Sequence, residues 1–359
     1  MRPGSGRTGL SPLQRRNSNP TRRLLMPHPD NTSHRYCVAP MMDLTDRHCR
    51  RLLRLISRHA RLYTEMITTQ ALLRGDAPRH LRHDESEHPV AIQLGGSEPA
   101  ELAACARMAA DAGFDEVNLN VGCPSDRVQS GRFGACLMAE PERVADSVAA
   151  MRAVVDIDVT VKTRIGIDHD DSPDRLLRLV EQCRAAGCRI FIVHARNAWL
   201  DGLSPAENRE IPPLRYGVVH ALKHDNPDLQ IIINGGLRSQ AALEAELAHV
   251  DGVMVGREAY YNPMSLATID RTLYGSEAPI PRAREIVQAY LEHVARELSA
   301  GTPLRAMTQH LLGLYQGVAG ARAWRRTLSE EGRLQGAGIE VIERALAAVE
   351  APGDARRVG

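Results

Sequence analysis

The sequence predicts a (β/α)₈ TIM barrel, of the α/β class, followed by a C-terminal helical bundle. Eight short, apolar, largely β-branched runs recur between residues 36 and 256. Alanine-rich amphipathic stretches separate most of them, and after about residue 281 only helical periodicity remains. Strands buried on both faces, as in a parallel sheet, read as nearly continuous apolar runs. Eight of them alternating with helices over about 250 residues match the size of one closed barrel.

In chain order the strand candidates are 36–41 (YCVAPM), 60–66 (ARLYTEM), 89–95 (PVAIQLG) and 116–121 (EVNLNV). They continue at 159–165 (VTVKTRI), 190–195 (IFIVHA), 229–234 (LQIIIN) and 252–256 (GVMVG). Helical stretches fall at 98–112, 141–155, 174–186 and 240–249, with 46–58 less regular. A doubly wound sheet has a similar rhythm, but it usually opens with a G-x-G-x-x-G turn after its first strand. Here the first strand ends in Ala39-Pro40-Met41-Met42. Beyond the barrel, helices are predicted over 282–300, 303–317, 320–331 and 338–350, with Gly317 and Gly320 dividing the second from the third. The division expected is a basic, disordered N-terminal tail over 1–33, a barrel over 34–280, a helical domain over 281–350 and a tail over 351–359.

Composition narrows the function classes. No apolar run approaches the ~18 residues needed to span a bilayer. The seven cysteines are scattered without a C-x-x-C pair, and Cys183 and Cys188 have no second pair nearby. No metal site is therefore expected, and the pattern suits reduced thiols in the cytoplasm. The net charge of +1 hides an uneven distribution, since residues 1–33 hold six arginines and one acid, Asp30. A total near zero thus excludes no nucleic-acid partner. The Ser-, Pro- and Gly-rich start reads as an unstructured or overextended terminus, with Met26 an alternative start.

Active sites of such barrels lie at the C-terminal ends of the strands. Those ends carry Pro40-Met41-Met42, Gln93, Asn120 to Cys123, Lys162 to Arg164, His194, Asn234-Gly235-Gly236 and Gly256-Arg257. Any one of these reads equally well as a structural polar residue or a turn glycine; their concurrence at one edge argues for a site. Asn-Gly-Gly after strand seven and Gly-Arg after strand eight fit a phosphate site, because glycines admit backbone N–H groups and Arg257 adds charge-assisted bonds. Gln93 suits a polar ring edge, and Lys162 places a positive charge beside an electron-accepting ring. That set suits a flavin mononucleotide, whose reduced form is anionic.

Long motifs then carry a resemblance: APMMDLTDRHCR (39–50), LYTEM (62–66), AIQLGGS (91–97) and DEVNLNVGCPSDRVQSGRFGACLM (115–138). VTVKTRIGID (159–168), GLSPAENREIPPL (202–214) and DGVMVGREAYYNP (251–263) extend it. From His34 to about Gly275, and more weakly in the helical tail, the chain resembles the tRNA-dihydrouridine synthase family, nearest its bacterial A-type branch, which acts at positions 20 and 20a. The resemblance implies FMN held by the Pro40, Met41 and Met42 loop, Gln93, Lys162, His194, Asn234, Gly235, Gly236, Gly256 and Arg257. It implies NADPH as reductant, Cys123 as proton donor, and Asn120 and Arg164 holding the target uracil. Arg322 and Arg325, in the string GARAWRR, match positions that contact tRNA, and Arg209 in the 202–214 loop is a further candidate. Met42 and Leu44 depart from the branch, where Leu and Trp are usual, so base stacking is not inferred at Leu44.

The chemistry makes these residues intelligible. Saturating the C5=C6 bond of uracil needs a hydride at C6 and a proton at C5. A thiol with an ordinary pKa near 8.5 is mostly protonated at neutral pH and can serve as the acid. The base must leave its stack to reach a barrel mouth, so separate contacts have to hold the RNA. His194 is expected to position flavin or substrate, while Asp43 and Glu65 face the site without an assigned role. The expected enzyme is a cytoplasmic monomer that binds the tRNA D-loop, with no metal and no membrane association. Two rivals stay open at this point: an FMN barrel reductase acting on a free pyrimidine, and a non-catalytic RNA-binding protein.

Overall fold

Eight parallel strands close into a barrel in chain order in the computed structural model, which describes residues 1, 34–170 and 172–350, apart from the side chains of Arg127 and Glu350. They are β1 (Tyr36–Val38), β2 (Arg61–Thr68), β3 (Val90–Gly95), β4 (Glu116–Val121), β5 (Asp158–Arg164), β6 (Ile190–His194), β7 (Gln230–Asn234) and β8 (Gly252–Val255). β1 pairs with β8 through Tyr36 with Val253 and Val38 with Val255, which closes the ring. Each predicted strand is present; all but the first lie within two residues of their expected bounds, and β1 ends at Val38 instead of residue 41. The expectations for the tails over 1–33 and 351–359, and for Met26 as a start, lie outside the described residues. No helix among the described residues is long and apolar enough to cross a membrane.

The helices between strands form where the sequence starts them well. Pro99 and Pro141 open the helices Pro99–Asp111 and Pro141–Arg152, where a missing N–H costs nothing. Asp46 caps Arg47–Ile56 by accepting from the amides of His48 and Cys49. That helix looks irregular in sequence because its buried face includes two arginines. Arg50 Nε donates to Glu87 at 2.7 Å, and Arg54 donates to the carbonyls of Ser57, Ala60, Glu87 and Pro89. The sequence reading missed the helix Tyr216–Asp225, whose opening Gly217, Val218 and Val219 are poor helix formers.

Inside the ring the side chains divide unevenly. Cys37, Ala39, Ile190, Ile192, Ile232 and Met254 form an apolar cluster with Tyr63 and Ala91. Glu116, Asn118, Asn120, Thr160 and Gln93 are also buried, and they make the β3–β5 side polar. The outer core, between strands and helices, is largely apolar, with Arg50, Arg54 and Glu87 buried as a bonded group.

The tail is helical over Ala283–Ser299, Arg305–Leu311, Ala321–Glu330 and Glu340–Glu350. The second is shorter than predicted. Gly317 and Gly320 both adopt positive φ (75° and 85°), which ends one helix and enters the next. Helical structure also starts before 281, with Arg257–Tyr261 and Ile269–Tyr274. Trp324 is fully buried and donates its Nε1–H to the Leu311 carbonyl at 2.9 Å. The tail rests on Arg47–Ile56 through polar contacts: Tyr290 Oη donates to the His48 carbonyl, His48 meets His293 at 2.9 Å, and Glu297 pairs with Arg47. His310 pairs with Asp46 at 3.0 Å, directly beyond the Met41–Thr45 turn that enters the site.

Candidate active site

A cleft of about 290 Å³ opens at the C-terminal ends of the strands. Its lining includes Pro40, Met41, Met42, Gln93, Asn120, Cys123, Lys162, Arg164, His194, Arg209, Asn234, Gly235, Gly236, Gly256 and Arg257. Every expected flavin contact and both expected uracil contacts therefore share one cavity. Arg238 adds a further cation, and among the described residues Glu258 is the one acid in the lining. Such a cleft favours an anionic ligand.

Backbone geometry explains the glycines. Gly235 and Gly236 have φ of +118° and +70°. A Cβ on Gly235 would lie 2.7 Å from the His194 ring, and one on Gly236 2.5 Å from Leu214. Gly256 differs: a Cβ there would only touch Met41 and Ala39 at 3.5–3.6 Å, projecting into the cleft. The Gly256 backbone is thus open to the cleft at that point.

Arg257 is not free to await a phosphate. Its guanidinium pairs with Glu210, which belongs to the 202–214 loop, and both side chains are substantially exposed. Arg209, next to that acid, lines the cleft and is exposed. The neighbouring Asn208 is buried and anchors the loop, with Oδ1 accepting from the Trp199 amide and Nδ2 donating to the Trp199 and Leu203 carbonyls.

Cys123 sits half-buried on the loop after β4. Its amide donates to Asn120 Oδ1 at 3.0 Å, and its thiol lies 3.5 Å from Ser125 Oγ. Ser125 was not singled out from the sequence; its place two residues beyond the cysteine was the available signal. Arg164 is buried and braces three segments, donating to the carbonyls of Gly122, Asn197 and Asn208. It both lines the cleft and fastens the Cys123 loop to the loops beyond β6.

The cations here are poorly solvated. Burial, with Arg164 nearby, pulls the Lys162 ammonium down to about 7, and the Cys123 side chain opposes this. Lys162 Nζ donates to Asn234 Oδ1 at 3.2 Å, and Asn234 Nδ2 donates to the Met254 carbonyl. Burial also brings Arg164 down to about 10. For His194, burial and then the charges of Arg164 and Lys162 push the imidazolium far down, so the ring is neutral at physiological pH.

Asp43 and Glu65, unassigned from sequence, act together. Asp43 holds a positive φ of 62°, and its amide donates to Glu65 Oε1 at 2.6 Å. Glu65 thereby pins the Met41–Thr45 turn at the cleft edge. Arg322 and Arg325 lie elsewhere, exposed on Ala321–Glu330 and outside the cleft lining.

Comparison with known proteins decides the family, since a model described as dihydrouridine synthase matches residues 37–350. The chain belongs to the dihydrouridine synthase family. Curated relatives named tRNA-dihydrouridine(20/20a) synthase include one from Shewanella oneidensis, 55% identical over 89% of this chain and 95% of its own length. Another, from Escherichia coli strain K12, is 56% identical over 88% of this chain and 91% of its own length. A third, from Vibrio cholerae, is 54% identical over 88% and 97%. Among solved structures, a 2-naphthoyl-CoA reductase in complex with 2-naphthoyl-CoA is similar with a TM-score of 0.53 and 11% identity, over 68% of this chain and 51% of that one. That likeness concerns the barrel fold alone. Family membership accounts for the motifs running through both barrel and tail, because the match ends only at residue 350.

Proposed function

We propose that the protein reduces the C5=C6 bond of uridine in the tRNA D-loop to 5,6-dihydrouridine at positions 20 and 20a, as a cytoplasmic monomer with bound FMN and NADPH as reductant. The observation that carries this reading is the position of Cys123: a half-buried thiol on the loop after β4, lining a basic cleft with Gln93, Lys162, His194, the Asn234–Gly236 turn and Gly256. The names of the relatives support the substrate.

Gly235, Gly236, Gly256 and Arg257 would hold the FMN phosphate, and Gln93, Lys162 and Asn234 its ring. Bound and reduced, the flavin supplies a hydride for C6 of the base. Asn120, fixed by the amides of Gly122 and Cys123, has an N–H left for a carbonyl of the uracil. Cys123 donates its thiol proton to C5. The thiolate left behind faces the charges of Lys162 and Arg164, which stabilise it until water restores the proton. Arg209 and the exposed Arg322 and Arg325 would contact RNA phosphates and hold the tRNA while one base is extruded. The test is to map dihydrouridine in tRNA from cells lacking the protein, then restore it in vitro with purified protein and NADPH. Unchanged dihydrouridine at both positions would refute the assignment.

A further inference from the structure

We propose that Glu116, Thr160 and Asn118 form a positioning relay that locks the Cys123 loop to a fixed charge deep in the barrel. This rests on the reading of the cleft as a uridine-reducing site. On β4 every second residue points inward, and here those residues are Glu116, Asn118 and Asn120. The strand register sets Asn118 beside Gln93 of β3 and beside Thr160 of β5. From the cleft downward, the amides of Gly122 and Cys123 donate to Asn120 Oδ1 at 3.1 and 3.0 Å. Asn120 Nδ2 donates to Gln93 Oε1 at 2.8 Å, and Gln93 Nε2 donates to Asn118 Oδ1 at 2.8 Å. Asn118 Nδ2 donates to Thr160 Oγ1 at 2.7 Å, and that hydroxyl donates to Glu116 Oε1 at 2.6 Å.

A side-chain amide has a donor end and an acceptor end, so a chain of amides has two consistent directions. Both termini exclude one of them. Backbone N–H groups only donate, and an ionised carboxylate only accepts. His34 at 2.8 Å, Arg61 at 3.1 Å and the Tyr63 hydroxyl at 2.8 Å surround Glu116 and keep it an anion. Every amide between is therefore held acceptor-first toward Cys123. Gln93 and Asn120, the two members that line the cleft, each keep one N–H unused within the relay. The Gln93 donor would meet the flavin ring, while the Asn120 donor matches a carbonyl oxygen of uracil and opposes the amino group that cytosine carries in its place. Glu116, Asn118 and Thr160 do not line the cleft, so they act through Gln93 and Asn120 as positioning residues.

The experiment compares flavin-loaded wild type with Thr160→Val, which keeps the shape and deletes both bonds of the central hydroxyl, and Thr160→Ser, which keeps them. FMN affinity, flavin reduction by NADPH, tRNA affinity and single-turnover oxidation of the reduced flavin by tRNA are measured. Thr160→Val is expected to slow oxidation by tRNA about tenfold, the order of loss that sub-ångström misplacement brings. With FMN saturating, its NADPH step and tRNA affinity should stay within about twofold, and Thr160→Ser should restore oxidation. If Thr160→Val yields no folded flavoprotein, Asn118→Asp replaces it, because it presents an acceptor where the relay needs a donor. A folded variant that oxidises at the wild-type rate, while wild type turns over tRNA, overturns the relay alone. A wild type that tRNA cannot reoxidise overturns the substrate reading and the relay with it.

Discussion

Replacing Lys162 with methionine is expected to stabilise the flavin-free protein while weakening its hold on flavin. Burial brings the Lys162 ammonium from an ordinary 10.5 down to about 7. At 1.36 kcal/mol per pH unit, that gap of about 3.5 corresponds to a charge cost of about 4–5 kcal/mol. Lys162 opens onto the cleft, where water moderates the cost, and methionine forfeits the Asn234 hydrogen bond. A net gain of about 2–3 kcal/mol is the result. The sign follows from proton linkage. The folded state gives up this proton at lower pH than the unfolded chain does, so the penalty is full below about pH 7 and fades as pH rises toward 10.5. Urea unfolding of flavin-free wild type and Lys162→Met at about pH 6 and about pH 9 measures this directly. The variant should be the more stable at the lower pH, and the difference should largely vanish at the higher one, since about 1.36 kcal/mol is lost per pH unit above about pH 7. A difference independent of pH, or a variant less stable at pH near 6, would refute the charge argument.

Four further outcomes follow from the structure. Cys123→Ala should retain FMN and normal reduction by NADPH, yet reoxidise on tRNA about 10²–10⁴-fold more slowly in stopped-flow absorbance; a wild-type rate would assign the proton to another group. Arg257→Ala should weaken FMN binding about three- to tenfold by titration, a modest loss because this arginine is half-exposed. Glu210→Gln should tighten FMN binding by releasing the same guanidinium, and weaker binding there would show that Glu210 helps the ligand instead of competing with it. Arg322→Ala with Arg325→Ala should weaken tRNA binding and flatten its salt dependence by up to roughly 0.7–0.9 per lost phosphate contact, with flavin content unchanged; an unaltered slope would make that helix face merely solvated.

What could be read from the sequence divides along a physical line. The barrel was legible because strands buried on both faces leave continuous apolar runs, as in Ile231–Ile232–Ile233. The cleft was legible because barrel strands deliver their last residues to one edge, so Gln93, Lys162, His194 and Asn234 declared themselves by position. Glu210 pairing with Arg257 was not, since nothing in a spacing of 47 residues brings a surface acid onto that arginine. Glu65 holding the Asp43 turn escaped for the same reason. The relay left a trace that went unread: in EVNLNV the polar residues fall at 116, 118 and 120, every second place of a strand with no wet face. Polar groups on such a face must satisfy one another, and that alone predicts a network across neighbouring strands.

The protein tolerates several buried titratable groups at one barrel edge. Lys162, Arg164 and His194 are all pushed toward their neutral forms by burial, with mutual repulsion adding to it. A fold selected for stability alone would replace them with apolar residues, which is often neutral or stabilising at buried ionic sites. They persist here on rigid supports: three backbone carbonyls for Arg164 and Asn234 for Lys162. Each cation is thus held in place before a ligand arrives, with part of its attraction unspent. A phosphate-tailed, electron-rich cofactor then meets preorganised positive charge and needs little rearrangement to bind. Beside these cations, on β3 to β5, the Glu116 relay supplies the directional half of the site, because an amide chain fixed at both ends turns its spare N–H donors toward the cleft. On the proposed function, charge and hydrogen-bond direction together would give the base one orientation between the flavin and Cys123.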